Sequence, residues 1–186
     1  SKILAPVGGA NGAVFRQLLS AKSLDFELID VGAATRESFI VTDVSTNSQY
    51  RFNSVGEALT EQDGAFFLKK IKALKPEILV ASGSLPGGLG ADFYEKIARL
   101  TNEIGSKFIL DTSGEPLRQA ADEGVFLLKP NLPELCALVG VENLELDDVD
   151  EAAQSIIHSG KCEVVVVSLG PGVRMNDRPG RLLMNA

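Results

Sequence analysis

Lys129, Asn131 and Glu134 fall in the run Lys129-Pro130-Asn131-Leu132-Pro133-Glu134, and their chemistry is that of a phosphate and its counter-ion. The Lys129 ammonium suits a phosphate. Asn131 and Glu134 are three apart, so a helix starting here shows both on one side. An amide oxygen and a carboxylate can hold a hydrated magnesium ion between them. The same spacing also describes a helix capping box, worth about 1 kcal/mol, in which each side chain accepts the other's backbone N–H. For an isolated N-x-x-E the cap is the commoner use, and both readings stand on these residues alone.

The elements around this run would have to position it. Val125–Leu128 is an apolar run that predicts a strand. Pro130 lacks an N–H, holds the chain extended and is expected to end strand pairing. Asn131 opens an amphipathic run with Leu135, Leu138 and Val139 on one face. A buried strand thus hands over to a helix, and in an open parallel sheet ligands sit beyond such carboxyl ends.

The rest of the chain repeats that handover. Glu77–Ala81 reads as a buried strand ending in Ser82-Gly83-Ser84-Leu85-Pro86-Gly87-Gly88, whose small residues let a ligand approach the backbone. Asp92–Ile104 predicts a helix, and Lys107–Leu110 a strand ending in Asp111-Thr112-Ser113-Gly114-Glu115. Asp147 is expected to cap a helix running to Ser159. Val164–Val167 predicts a strand ending in Ser168-Leu169-Gly170-Pro171-Gly172. Met175–Gly180 reads as a polar turn and Arg181–Met184 as a strand fragment. Nearer the start, Lys2–Val7 and Phe26–Val31 predict strands around a helix over Asn11–Ala21. Gly8-Gly9 before that helix is either an anion cradle or a tight turn. Ser38–Val44 and Gln49–Phe52 alternate apolar and polar residues, which predicts a hairpin with one wet face, and Arg36 stands at its entrance. Thr60 caps a helix through Leu74. The whole is an α/β pattern with its chemistry gathered on one sheet edge.

Composition narrows the function classes. Hydrophobic residues at 45% and charged residues at 23% describe a globular chain. A net charge of -7 argues against nucleic acid and anionic membrane as partners. No apolar run is long enough to span a bilayer. Cys136 and Cys162 lack metal-ligand spacing and read as reduced thiols of a cytoplasmic protein. His158, the single histidine, sits late in its helix before Ser159-Gly160 and reads as a surface residue.

Taken in order, the strand ends resemble the PfkB branch of the ribokinase-like sugar kinases. The matching residues are Thr35-Arg36, Tyr50–Phe52, Gly83–Pro86, Asp111–Glu115, Lys129–Glu134 and Ser168–Pro171. The subgroup most similar is the minor bacterial type of 6-phosphofructokinase, with 1-phosphofructokinases and tagatose-6-phosphate kinases beside it. The resemblance implies a ribokinase-like, Rossmann-like fold: a mostly parallel sheet flanked by helices, with a small β flap over residues 36–54. It implies ATP- and magnesium-dependent phosphoryl transfer to a phosphorylated ketohexose. Arg36 would hold the sugar phosphate, and Gly83 and Ser84 the sugar. Lys129 would reach the nucleotide phosphates, and Ser168, Gly170 and Gly172 would line the ATP site. Asn131 and Glu134 would position magnesium, mostly through water, with Asp111 near phosphates or metal. Beside these partners the magnesium reading of N-x-x-E overtakes the cap, and the two are compatible. The flap would pair two copies into a homodimer. The family's C-terminal G-A-G-D, which carries its aspartate base, has no counterpart in residues 1–186, nor has its N-terminal sugar-binding segment. The expectation is a single incomplete kinase domain, inactive by itself. A sugar-phosphate- or nucleotide-binding module without catalysis is the rival of another class.

Overall fold

The computed structural model describes residues 1–169, 173–178 and 181–185. It divides into two compact units, residues 1–67 with 86–89, and residues 68–85 with those from Gly90 on.

In the first unit, β1 (Lys2–Val7), α1 (Gly9–Ala21) and β2 (Asp25–Asp30) follow in order. β1 and β2 pair in parallel from Lys2 opposite Asp25 to Val7 opposite Asp30. Gly8 is there because backbone passes close by. A Cβ on it would lie 2.1 Å from Ala33 O and 2.7 Å from Val31 O. Its N–H donates to Thr35 Oγ1 at 3.0 Å, and its carbonyl accepts from Thr35 N at 2.9 Å. Gly8-Gly9 is therefore a tight turn, with the Gly8 amide already spent on the chain.

β3 (Ser38–Asp43) and β4 (Ser48–Asn53) form the expected antiparallel hairpin, with Phe39 opposite Phe52 and Val41 opposite Tyr50. At its turn Asp43 accepts from Ser45 N and Oγ and from Thr46 Oγ1. The Ser45 hydroxyl bond above all holds this carboxyl down at about 2. The expected single wet face is corrected. Phe39, Ile40, Val41, Tyr50 and Phe52 are all exposed, so both faces of the hairpin meet solvent. The alternation is real, since Phe39, Val41, Tyr50 and Phe52 share one face, but no layer of the described residues covers it. α2 (Glu61–Leu74) begins with the expected cap, in which Asp63 N donates to Thr60 Oγ1 and Thr60 N to Asp63 Oδ2.

The second unit is built on β5 (Ile78–Ser82), α3 (Phe93–Ile104), β6 (Lys107–Asp111), α4 (Gly114–Glu123), β7 (Val125–Leu128), α5 (Leu132–Val139), α6 (Val149–His158), β8 (Cys162–Ser168), β9 (Val173–Arg178) and β10 (Arg181–Asn185). The sheet runs β10-β9-β8-β7-β6-β5. The steps from β5 to β8 are parallel, and β9 and β10 are antiparallel to their neighbours. Leu110, Leu128 and Val165 stand side by side across β6, β7 and β8, each 0% exposed, and form the centre of the core.

Four expectations for this unit need correction. β5 is the edge strand, with Ile78 and Val80 exposed, rather than a buried strand. Asp147 lies in a single 3-10 turn, Leu146–Asp148, and α6 starts at Val149 without a side-chain cap. Met175–Arg178 belongs to β9, because pairing with β8 overrides its polar composition. Pairing also does not end at Pro130. The ring removes only the donor, and Pro130 O still accepts from Ser168 N at 3.0 Å, with Asn131 bridging Ser168 in parallel. No helix among the described residues is long and apolar enough to cross a membrane.

Candidate functional site

The carboxyl edge of the second unit's sheet gathers most of the residues that the sequence singles out. β5 ends at Ser82 and passes into Gly83-Ser84, β6 ends at Asp111, β7 runs into Lys129, and β8 ends at Ser168. The backbone ties these ends together. Gly83 N donates to Asp111 O at 2.9 Å, Lys129 N to Leu110 O at 3.1 Å, and Ser168 N to Pro130 O at 3.0 Å. A four-residue β7 followed by a buried proline thus delivers Lys129 and Asn131 at a fixed register between β6 and β8.

Lys129 Nζ lies 3.1 Å from Asp111 Oδ2, and Ser82 Oγ donates weakly to the same oxygen at 3.4 Å. The two charged side chains are 44% and 36% exposed. Half-exposed pairs of this kind stabilise by roughly 1 kcal/mol or less. The ammonium can therefore turn from Asp111 to a phosphate at small cost, while Asp111 holds it at the sheet edge meanwhile.

Asn131 and Glu134 do form the capping box. Asn131 Oδ1 accepts from Glu134 N at 2.9 Å, and Glu134 Oε2 accepts from Asn131 N at 2.9 Å. Pro133 occupies the first turn, where its lost N–H costs nothing, and Gly140 closes α5 in the left-handed conformation. The box uses one carboxylate oxygen. Among the described residues Glu134 Oε1 has no protein hydrogen bond, and the Asn131 and Glu134 side chains border an open cleft of about 410 Å³ between α4 and α5. Among the described residues no three of His, Cys, Asp and Glu converge as a metal cage. Magnesium is usually held by one or two carboxylates together with substrate phosphates and water. Glu134 Oε1 and Asp111 supply hard oxygen donors of that kind.

Arg36 lies elsewhere, in the first unit, exposed beside a Thr35 pinned to the Gly8 turn. Asn11 Nδ2 adds a bond to Thr35 O at 3.2 Å, and the neighbouring Ala34 N donates to Glu57 Oε2 at 2.6 Å. The backbone on the amino side of Arg36 is therefore held on several sides while its guanidinium faces water. Gly170 and Gly172 lie outside the described residues. His158 is exposed, and Cys136 and Cys162 are buried free thiols. Sequence reasoning missed Tyr94 and left Thr112 without a role. Both hydroxyls bond to Gly83 O, from 11 and 29 positions along the chain, and no local pattern signals such a meeting.

Comparison with known proteins assigns this fold to a family. The family model described as "pfkB family carbohydrate kinase" matches residues 1–174. The ATP-dependent 6-phosphofructokinase isozyme 2 of Mycobacterium tuberculosis (strain CDC 1551 / Oshkosh) is 41% identical over 172 residues, which cover 91% of this chain and 50% of that protein. The 1-phosphofructokinase of Bacillus subtilis (strain 168) is 30% identical over 92% of this chain and 56% of its own length. Phosphofructokinase-2 from Escherichia coli superposes in complex with fructose-6-phosphate with a TM-score of 0.88 at 36% identity, covering 99% of this chain and 61% of that one. In its tetrameric inhibited form the TM-score is 0.91 at 34% identity, over 98% and 61%. The chain spans about half the length of the curated relatives it matches. The strand-end residues, the ribokinase-like α/β fold and a match over nearly the whole length agree that this chain belongs to the pfkB family of carbohydrate kinases.

Proposed function

We propose that this chain is the nucleotide- and substrate-holding part of an ATP- and magnesium-dependent kinase that converts fructose 6-phosphate to fructose 1,6-bisphosphate. The observation that carries this is the Lys129–Asp111 pair at the sheet edge, with Lys129 two residues before Asn131, the N-cap of α5. Lys129 swings from Asp111 to the nucleotide phosphates and offsets the charge that spreads over the transferring group. Ser168, Gly170 and Gly172 line the nucleotide. Asn131 and Glu134 hold magnesium, largely through water, with Asp111 close to the metal or the phosphates. Held by these residues, magnesium would supply positive charge against the nucleotide phosphates. Gly83 and Ser84 meet the sugar, and Arg36 grips its phosphate by a charge-assisted pair of hydrogen bonds. Residues 1–186 act within one kinase domain, with the flap over residues 36–54. Two buried free thiols suit a reducing cytoplasm.

A coupled ADP-release assay on the complete kinase tests the substrate. The expected result is a higher kcat/KM for fructose 6-phosphate than for fructose 1-phosphate. The reverse preference would select the 1-phosphofructokinase reading, which the Bacillus subtilis relative favours. Within the same assay, Glu134→Gln should raise the magnesium concentration needed for half-maximal rate yet barely shift the melting temperature. Glutamine keeps the capping bond and loses the charge. Lost stability with an unchanged magnesium response would reduce the pair to a cap.

The hairpin supports self-association. Phe39 and Phe52 stack at 4.9 Å on an exposed apolar face, and strand edges left open invite pairing with another chain. The Escherichia coli relative is named in a tetrameric form. Sedimentation at micromolar concentration should find a homodimer that Phe39→Asp dissociates. A monomeric parent would exclude the flap as an interface.

A further inference from the structure

The Gly83 carbonyl is the meeting point of two hydroxyls. Tyr94 Oη donates to it at 2.9 Å, and Thr112 Oγ1 also at 2.9 Å. The Gly83 amide donates in turn to Asp111 O at 2.9 Å. Tyr94 and Thr112 are 7% and 6% exposed, and burial raises the Tyr94 phenol's pKa, so it stays a donor at neutral pH. Gly83 sits at φ 105°, a torsion that side chains avoid, while a Cβ there would meet nothing within 4 Å. Glycine is therefore required by the torsion and not by crowding.

In a trans peptide the carbonyl and the following N–H point opposite ways. With Gly83 O turned toward Tyr94 and Thr112, the Ser84 N–H is directed away from them. Ser84 is exposed, and neither its amide nor its hydroxyl has a protein partner among the described residues. Simple satisfaction of two buried hydroxyls would not need this arrangement. Thr101 shows the ordinary solution, bonding to Ile97 O and Ala98 O of its own helix. Tyr94 from α3 and Thr112 from the end of β6 instead converge on one carbonyl of a loop.

We propose that Tyr94 and Thr112 are positioning residues for the sugar phosphate. They lock the Gly83–Ser84 peptide so that the Ser84 amide and hydroxyl face a hydroxyl of the bound sugar. This rests on the kinase reading above. Neither residue touches substrate; each acts through the Gly83 carbonyl.

The test uses the complete kinase with Tyr94→Phe, Thr112→Val and Thr112→Ser. Loss of one such bond should raise KM for fructose 6-phosphate about three- to tenfold with KM for ATP unchanged. Thr112→Ser keeps the donor and should restore the parent value. Both KM values moving together, or serine behaving like valine, would overturn the proposal. Turnover of fructose 6-phosphate by the parent enzyme separately tests the kinase reading. A crystal structure of the Tyr94→Phe, Thr112→Val double variant gives a readout independent of activity. A turned or mixed Gly83–Ser84 peptide is expected, and an unchanged one would sink the idea whatever the substrate.

Discussion

The 186-residue chain alone is expected to phosphorylate fructose 6-phosphate at least about 10⁴-fold more slowly than the complete kinase, since a positioned base contributes about 10²–10⁴-fold and charge-stabilising donors a similar factor. A hexose hydroxyl is a weak nucleophile, so an unencumbered carboxylate in line with the transferring phosphoryl must take its proton. The carboxylates at the sheet edge already have work. Asp111 pairs with Lys129 and accepts from Ser82, and Glu134 caps α5. The relatives carry about as much chain again beyond the matched part, which is where the missing base and its anion-stabilising amides are expected. A coupled ADP-release assay on this polypeptide decides it. Turnover near about 1 per second, the low end for kinases, would place the base within these residues. Binding of ATP should outlast the loss of turnover, because Lys129, Asn131, Glu134 and Ser168 are all present.

Leu128→Ala should destabilise the second unit by about 3–4 kcal/mol, within the range for a buried leucine truncated to leave a cavity. Leu128 is 0% exposed and lies in register between Leu110 and Val165, also 0% exposed. Strands on both sides hold it, so the surroundings have little room to collapse into the gap. The same residue precedes Lys129, and the register that delivers the lysine depends on β7 remaining paired. Denaturant unfolding followed by circular dichroism would measure the loss. A change below about 1 kcal/mol would mean that this row is not the centre of the core, since even mild core truncations cost that much.

What could be read from the sequence is what neighbouring residues decide among themselves. Asn131 and Glu134 are three apart, and their reciprocal bonds need only a helix start, so the cap was visible at once. The hairpin was visible from alternation, but whether anything covers Phe39 and Phe52 is a tertiary matter that alternation cannot report. Met175–Gly180 reads as a turn because it has no apolar period; the strand state of Met175–Arg178 comes from pairing with β8 and β10. α4 went unassigned because its buried stripe is only Leu117, Ala120 and Ala121. Lys129 was identifiable as a phosphate-binding candidate, but its holding pair with Asp111 was not. That contact depends on β6 and β7 lying side by side. The Tyr94–Thr112–Gly83 junction is the extreme case, three elements meeting at one carbonyl oxygen.

Cys162 opens β8 opposite Val125, 5% exposed, and burial pushes its thiol up to about 12. At neutral pH almost none of it is the reactive thiolate. In the folded chain an alkylating reagent therefore meets an almost inert sulfur, while the same cysteine in an opened chain returns to ordinary reactivity. The rate at which Cys162 is labelled becomes a clock for the parting of β7 and β8. A ligand that grips Lys129 and Ser168, at the far ends of those strands, should slow that clock.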